Sequence, residues 1–333
     1  MSSTRFSIPG CESHERSLLR TFLEALGVIE FPLASQSEAD LEGPEASDGS
    51  SHGSAFRMAL AVFVENRLAV AGIIVVVFFF LFCFVGPLVY HTNQIQVNLN
   101  IENERPGVGH LLGTSNVGYD ILGRLMAGGQ TTLLVGVAVS LIATSFGVIW
   151  GATAGFIGGI VDTVMMRTVD ALLAIPTLFL LLFLASIFTP TEPLLIVVIA
   201  SVAWLVPARL VRAETLSLKG RAYVEASQGQ GAGQLWIILR HIIPNTFGTM
   251  AVNATFQVAD AILLVASLSF LGLGIPPPST NWGSMLTDGV NYVFSGYWWQ
   301  IWPAGVCIVL VVVSFNLIGD GMRDALEVRL QRR

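Results

Sequence analysis

Tyr223-Val-Glu-Ala-Ser-Gln-Gly-Gln-Gly231, running on to Ile242-Ile-Pro-Asn245, is a polar, small-residue segment set between two long apolar runs. It predicts one helix over Arg221–Gln228 and a second over Gly233–Ile243, with Gly229 and Gly231 at the bend. Glycine inside a helix costs about 1 kcal/mol relative to alanine, so an unbroken helix through this bend is unfavourable. Ala226 and Ser227 leave a low surface that a partner's groove can approach, and Glu225 offers it a charge. Leu235, Trp236, Ile238 and Leu239 are expected to pack back under the surrounding helices and carry motion of this knob into them. The same spacing also suits an ordinary amphipathic loop helix with a solvated glutamate.

The flanking sequence puts this segment at a membrane. Of 333 residues, 53% are hydrophobic and only 12% charged, about half the charge of a soluble domain. The deficit lies in six apolar runs of spanning length: Leu68–Val89, Thr132–Phe156, Val164–Phe188, Leu194–Val211, Thr246–Leu273 and Ile301–Gly319. The fold class expected is therefore all-α, a membrane protein of six transmembrane helices. Gly147, Gly151 and Gly155 recur every fourth residue and clear one helix face for a close neighbour.

Basic residues set the orientation. With the amino terminus placed in the cytoplasm, Arg57, Arg67, Arg167, Arg209, Arg212, Lys219, Arg221, Arg240, Arg323, Arg329, Arg332 and Arg333 lie inside. Arg105 and Arg124 alone lie outside, a decisive bias by the positive-inside rule. Both termini and the coupling loop, residues 213–245, are then cytoplasmic, and an outer loop spans roughly Tyr90–Gln130. Residues 1–54 form a separate acidic extension that carries the whole net charge of −6. Within it Glu15–Glu30 has the spacing of a short amphipathic helix, and Pro32–Ser54 reads as a flexible linker. Residues 55–333 are the six-span body.

No catalytic or cofactor pattern is present. The single lysine, Lys219, follows no phosphate-binding glycine loop, and there is no His-Glu-x-x-His or paired cysteine. Cys11, Cys83 and Cys307 are scattered, and His110 and His241 are isolated. The chain is expected to hold no cofactor or metal, to perform no bond chemistry and to bind no nucleic acid. Its one direct solvent partner is membrane lipid.

Several collinear blocks sharpen this reading. They are Leu112-Gly-Thr-Ser115, Gly118-Tyr-Asp-Ile-Leu-Gly-Arg-Leu125, Gly155-Phe-Ile-Gly-Gly-Ile-Val-Asp-Thr-Val-Met-Met-Arg-Thr-Val-Asp170 and Pro207-Ala-Arg-Leu-Val-Arg212. Ser267-Leu-Ser-Phe-Leu-Gly-Leu-Gly274 and Phe315-Asn-Leu-Ile-Gly-Asp-Gly-Met-Arg-Asp-Ala-Leu326 complete the set. From about Gly113 to Leu330 the chain resembles the dipeptide/oligopeptide permease subunit of ABC importers, a type also seen in nickel and glutathione uptake. The Glu-Ala-small-x-x-x-Gly…Ile-x-Pro spacing resembles the coupling motif of that family. It falls on Glu225, Ala226, Ser227, Gly231, Ile242 and Pro244, with Tyr223 beside it.

The resemblance implies a type I importer permease fold with a cytoplasmic coupling helix, in a prokaryotic plasma membrane. It implies a heterodimer with a second permease, one or two cytoplasmic ATPase subunits that hold ATP and Mg, and an extracytoplasmic substrate-binding protein. The cargo implied is di- or oligopeptide, with nickel, glutathione or another small solute as the alternative. The chain departs from the family at Ser115 (usually Asp), Tyr119 (usually Arg) and Val265 (usually Glu). In the coupling segment it carries Ser227 and Gly229 for commoner Ala and a helix former.

Charged residues within the spans have two readings each. Asp260, with Gln257 one turn away, either lines the translocation path or is tied to Asn253, Gln257 or a partner. An ion-coupled secondary transporter would have to use Asp260. Arg167 and Asp170, three apart, are expected to pair near Asp162, and Asp320, Arg323 and Asp324 to form a charge cluster at a helix end.

Overall fold

The computed structural model describes residues 61–92, 94 and 96–331; the calls on residues 1–54 lie outside them. The described residues are helical, with no strand beyond an isolated bridge between Thr114 and Asp120. Eleven helices carry the argument: α1 (Arg67–Phe84), α2 (Ile121–Ile157), α3 (Gly159–Leu173), α4 (Thr177–Ile187), α5 (Glu192–Ala203) and α6 (Leu205–Lys219) come first. Then follow α7 (Ala222–Gly229), α8 (Gln234–Ile237), α9 (Ile243–Leu268), α10 (Trp282–Val290) and α11 (Trp302–Gln331).

Five stretches among the described residues are long and apolar enough to cross a membrane: α1, α2, α5 with α6, α8 through α9 to Leu273, and Trp298–Leu326. The sixth is α3 with α4, bent by 84°. The expected straight span Val164–Phe188 is thus corrected to a broken one. Its cause is Pro176, which lacks an N–H and pushes Ile175 away from helical geometry. Two other edges move. The second span starts at Ile121 rather than Thr132, and the sixth runs on past Gly319, so Asp320, Arg323 and Asp324 sit along a helix rather than at its end.

Local chemistry fixes these boundaries. Asn66 caps α1, its side chain accepting from the N–H groups of Leu68 and Ala69 at 3.1 and 3.2 Å. Asp120 caps α2 by accepting from Gly123 N–H at 2.7 Å. Its other oxygen takes His110 Nδ1 at 2.8 Å and the Tyr90 hydroxyl at 3.0 Å, which pins the outer loop to the start of α2. At the far end Gly158 and Gly159 adopt φ of +73° and +58°, a left-handed pair that turns the chain from α2 into α3.

The glycine face predicted on α2 packs on α6. A Cβ at Gly147 would stand 2.6 Å from Pro207 Cβ, and one at Gly151 would stand 2.9 Å from the Arg212 nitrogen and from Val211 Cβ. One at Gly155 would meet the Arg212 carbonyl at 3.0 Å. Only hydrogen fits there. At the other end Trp282 is fully buried, its indole N–H donating to the Leu125 carbonyl at 2.9 Å and its ring set edge-on to Phe79. That indole joins α10 to both α1 and α2.

Gly151→Leu should therefore separate α2 from α6 and lower stability by about 1–3 kcal/mol. Gly220→Ala, with no atom near its added methyl and ordinary backbone angles, should be close to neutral. Thermal unfolding of the two variants in detergent checks the contrast.

Candidate functional site

The segment around Glu225 is a short helix clamped by one side chain. α7 spans Ala222–Gly229, and Val224 is its only buried residue. Val224 lies in an apolar cluster with Ala152 and Phe156 of α2, Val211 of α6, Ile237, Ile238, Ile242 and Met250. Glu225 and Ala226 are exposed, with Tyr223 42% accessible beside them. The chain leaves α7 through Gly231 at φ +83°, a conformation suited to glycine. The bend expected at Gly229–Gly233 is where the helix stops.

The second arm differs from the sequence expectation. Ile237 and Ile242 are both fully buried, whereas Leu235, Trp236 and Leu239 are exposed at 70, 52 and 58%. Leu235 and Trp236 face outward from α8, and for Leu239 the reason is the π turn that follows over Ile238–Ile242. Its i to i+5 repeat brings residues five apart onto one face, and a 3.6-residue phase places Leu239 wrongly. Ile238 packs inward as expected. Pro244 follows in the first turn of α9, where its missing N–H costs nothing.

His241 sits in that π turn and connects the two arms. Its Nε2 lies 3.3 Å from the Ser227 hydroxyl, which itself donates to the Tyr223 carbonyl at 2.8 Å. The rings of Tyr223 and Trp236 lie 5.8 and 5.2 Å from the imidazole. The sequence reading passed over His241 as an isolated residue, because its partners lie 5 to 18 positions away across the bend.

Ion pairs on the same end join different helices. Arg212 grips Asp162 with two nitrogens at 2.5 and 2.6 Å, and Arg209 meets Asp170 at 2.5 Å. Asp170 therefore pairs with α6 and not with Arg167, which was expected from helix spacing. The bent third span turns Asp170 toward α6. Lys219 donates to the Phe156 carbonyl at 2.7 Å, a cation on the carboxyl end of α2.

Within the fifth span the polar residues separate. Gln257 is buried and its amide donates to the Ala203 carbonyl at 3.2 Å. Pro207, four residues after Ala203, has no N–H to offer that carbonyl. Gln257 thus supplies the hydrogen bond that a proline removes inside the membrane. Asp260 is exposed on this chain and makes no hydrogen bond or ion pair among the described residues. Neither Asn253 nor Gln257 holds it. Val265 is fully buried, in an apolar cluster with α5 residues such as Ile199, five residues round the helix from Asp260.

With this geometry in view, residues 147–332 match the binding-protein-dependent transport system inner membrane component family. The chain belongs to this family. Residues 54–106 also match the N-terminal TM domain of oligopeptide transport permease C. The chain is 37% identical over 268 residues to the dipeptide transport system permease protein DppC of Bacillus subtilis, covering 80% of this chain and 84% of the relative. It is 40% identical over 267 residues to the oligopeptide transport system permease protein OppC of Escherichia coli K12, covering 80% and 88%. The corresponding protein of Haemophilus influenzae is 39% identical over 267 residues, covering 80% and 86%. This permease is accordingly a multi-pass protein of the inner membrane that works with a substrate-binding protein and ABC partner subunits.

Ile237→Ala should loosen α7 by about 2–4 kcal/mol through lost packing, read as faster amide exchange across Ala222–Gly229 with the spans unchanged. Gln257→Leu should leave the Ala203 carbonyl unpaired and cost about 1 kcal/mol in unfolding assays.

Proposed function

We propose that this permease moves di- or oligopeptides inward by ATP-driven alternating access, as one half of a heterodimer with a second permease. The observation that carries this reading is the similarity, over four fifths of the chain, to proteins named for dipeptide and oligopeptide transport. Relatives named in this way lend no support to nickel or glutathione as cargo. One or two cytoplasmic ATPase subunits bind and hydrolyse ATP with Mg, and the α7 surface of Tyr223, Glu225, Ala226 and Ser227 receives their motion. Gly231, Ile242 and Pro244 shape the turn and the return into the fifth span. Both termini lie in the cytoplasm in this arrangement, on the same side as α7.

The physical basis of coupling is the cluster around Val224. A force applied to the exposed face of α7 passes through Val224 to Phe156 and Val211, and through Ile237 and Ile242 to α9. Asp260 is offered to the path or to the partner permease, because no group among the described residues claims it. A carboxylate in that position suits the amino terminus of a peptide. Gln257 is not free for that task while it serves Ala203.

The permease, purified with its partners and reconstituted in lipid, should hydrolyse ATP faster when binding protein and mixed peptides are added. Glu225→Ala should abolish that stimulation and uptake while leaving the basal ATPase rate near its starting value. Hydrolysis indifferent to peptides in the presence of binding protein would refute the peptide assignment. Uptake that collapses with an uncoupler at constant ATP would instead favour ion coupling through Asp260.

A further inference from the structure

The end of the bundle opposite α7 contains a cavity of about 150 Å³ whose walls carry both signs of charge. It lies between the Ser115–Tyr119 turn, the first turn of α2 and the short helix α10, and Arg124, Asp288, Asn116 and Gln300 line it. Arg124 is only 6% exposed. One of its nitrogens donates to the Pro278 carbonyl at 2.7 Å, and the guanidinium carbon stands 4.5 Å over the centre of the Tyr119 ring. Among the described residues it has no further hydrogen bond and no ion pair. A guanidinium carries five N–H donors in a planar fork, so most of that fork is left to the cavity. Asp288, an exposed residue on the same pocket, attracts Arg124 without forming an ion pair with it among the described residues.

A buried cation left without a partner anion is costly. The planar fork matches a carboxylate in two-pronged contact, and Asp288 supplies the opposite charge that an ammonium requires. We propose that this cavity is a binding site for a small zwitterionic amino acid, its carboxylate on Arg124 and its ammonium on Asp288. Size restricts the ligand. An engineered cavity of about 150 Å³ takes a benzene molecule, about six heavy atoms. Glycine and alanine fit whole within that volume, whereas a dipeptide of about nine heavy atoms would extend through the pocket's open mouth and leave part of its length unheld. Asn116 and Gln300 add polar groups to the lining, the buried Gln300 amide already donating to Asn103 Oδ1 at 2.7 Å. Occupation ties α10 to the start of α2. The lining residues named here come from this chain, and the site stands apart from the peptide path of the proposed function.

Equilibrium binding of radiolabelled alanine to the full chain, purified with its partners in lipid nanodiscs without binding protein, tests this. Saturable binding in the millimolar range or tighter is expected, displaced by glycine but not by propionate or ethylamine, which carry one charge each. Asp288→Asn and Asp288→Ser should each weaken it by about tenfold to a hundredfold, the range for one charge-assisted hydrogen bond. Arg105→Gln, on the exposed outer loop, should not change it. Absence of saturable binding overturns the proposal, as does binding undiminished in both folded Asp288 variants. Displacement by glycylglycine as effective as by glycine overturns the restriction to free amino acids.

Discussion

The contact between α2 and α6 along Gly147, Gly151 and Gly155 is the constraint on which the rest of this bundle rests. Lipid tails are as apolar as leucine, so helices in a membrane gain by close packing rather than by escaping water. Three hydrogens in place of side chains let the two backbones meet. That approach sets Arg212 against Asp162 at one end of the seam. It also brings Phe156 and Val211 together as the floor on which Val224 sits. The position of α7 is therefore an outcome of glycine spacing on the helix beneath it.

Polar groups then lock the fifth span to this pair. Ser140 of α2 donates to the Ala254 carbonyl at 2.7 Å, and Thr249 donates to Glu214 of α6 at 3.0 Å. Gln257 completes the set at Ala203. Each bond is modest in free energy, yet each removes a polar group from hydrocarbon, where an unpaired one is expensive. Asp260 and Asn253 are the exceptions on this helix among the described residues, and of the two only Asp260 carries a charge. At the far end Asp288 illustrates the opposite balance. Desolvation lifts its carboxyl above the ordinary carboxylate range, and attraction to Arg124 offsets part of that rise.

Much of this was legible in the chain itself, and the failures have definite causes. Long apolar runs, the glycine series and the Gly229–Gly233 bend were read correctly because each follows from local preference. The third span was read as straight although Pro176 marks its break, since apolar character continues on both sides of the proline. Arg167 and Asp170 satisfy helix spacing, but Arg209 reaches Asp170 from another helix and that partner is invisible to local rules. Leu239 was misplaced by one π turn, while Leu235 and Trp236 face outward from the short helix before it. The Arg124–Asp288 cavity joins positions 164 residues apart, and nothing near either residue announces it.

The π turn at Ile238–Ile242 has a counterpart at Ser269–Leu273, so α9 is bracketed by one at each end. Each holds one residue more than an α-helical turn needs. A π turn that migrates by one position re-aims the residue it passes by about 100° and leaves the helix beyond it facing as before. Asp260, nine residues from the nearer turn, keeps its facing. The fifth span thus has an adjustable turn at each end, one of them under the α7 surface, where local side chains can be re-aimed while the helix between keeps its hydrogen bonds.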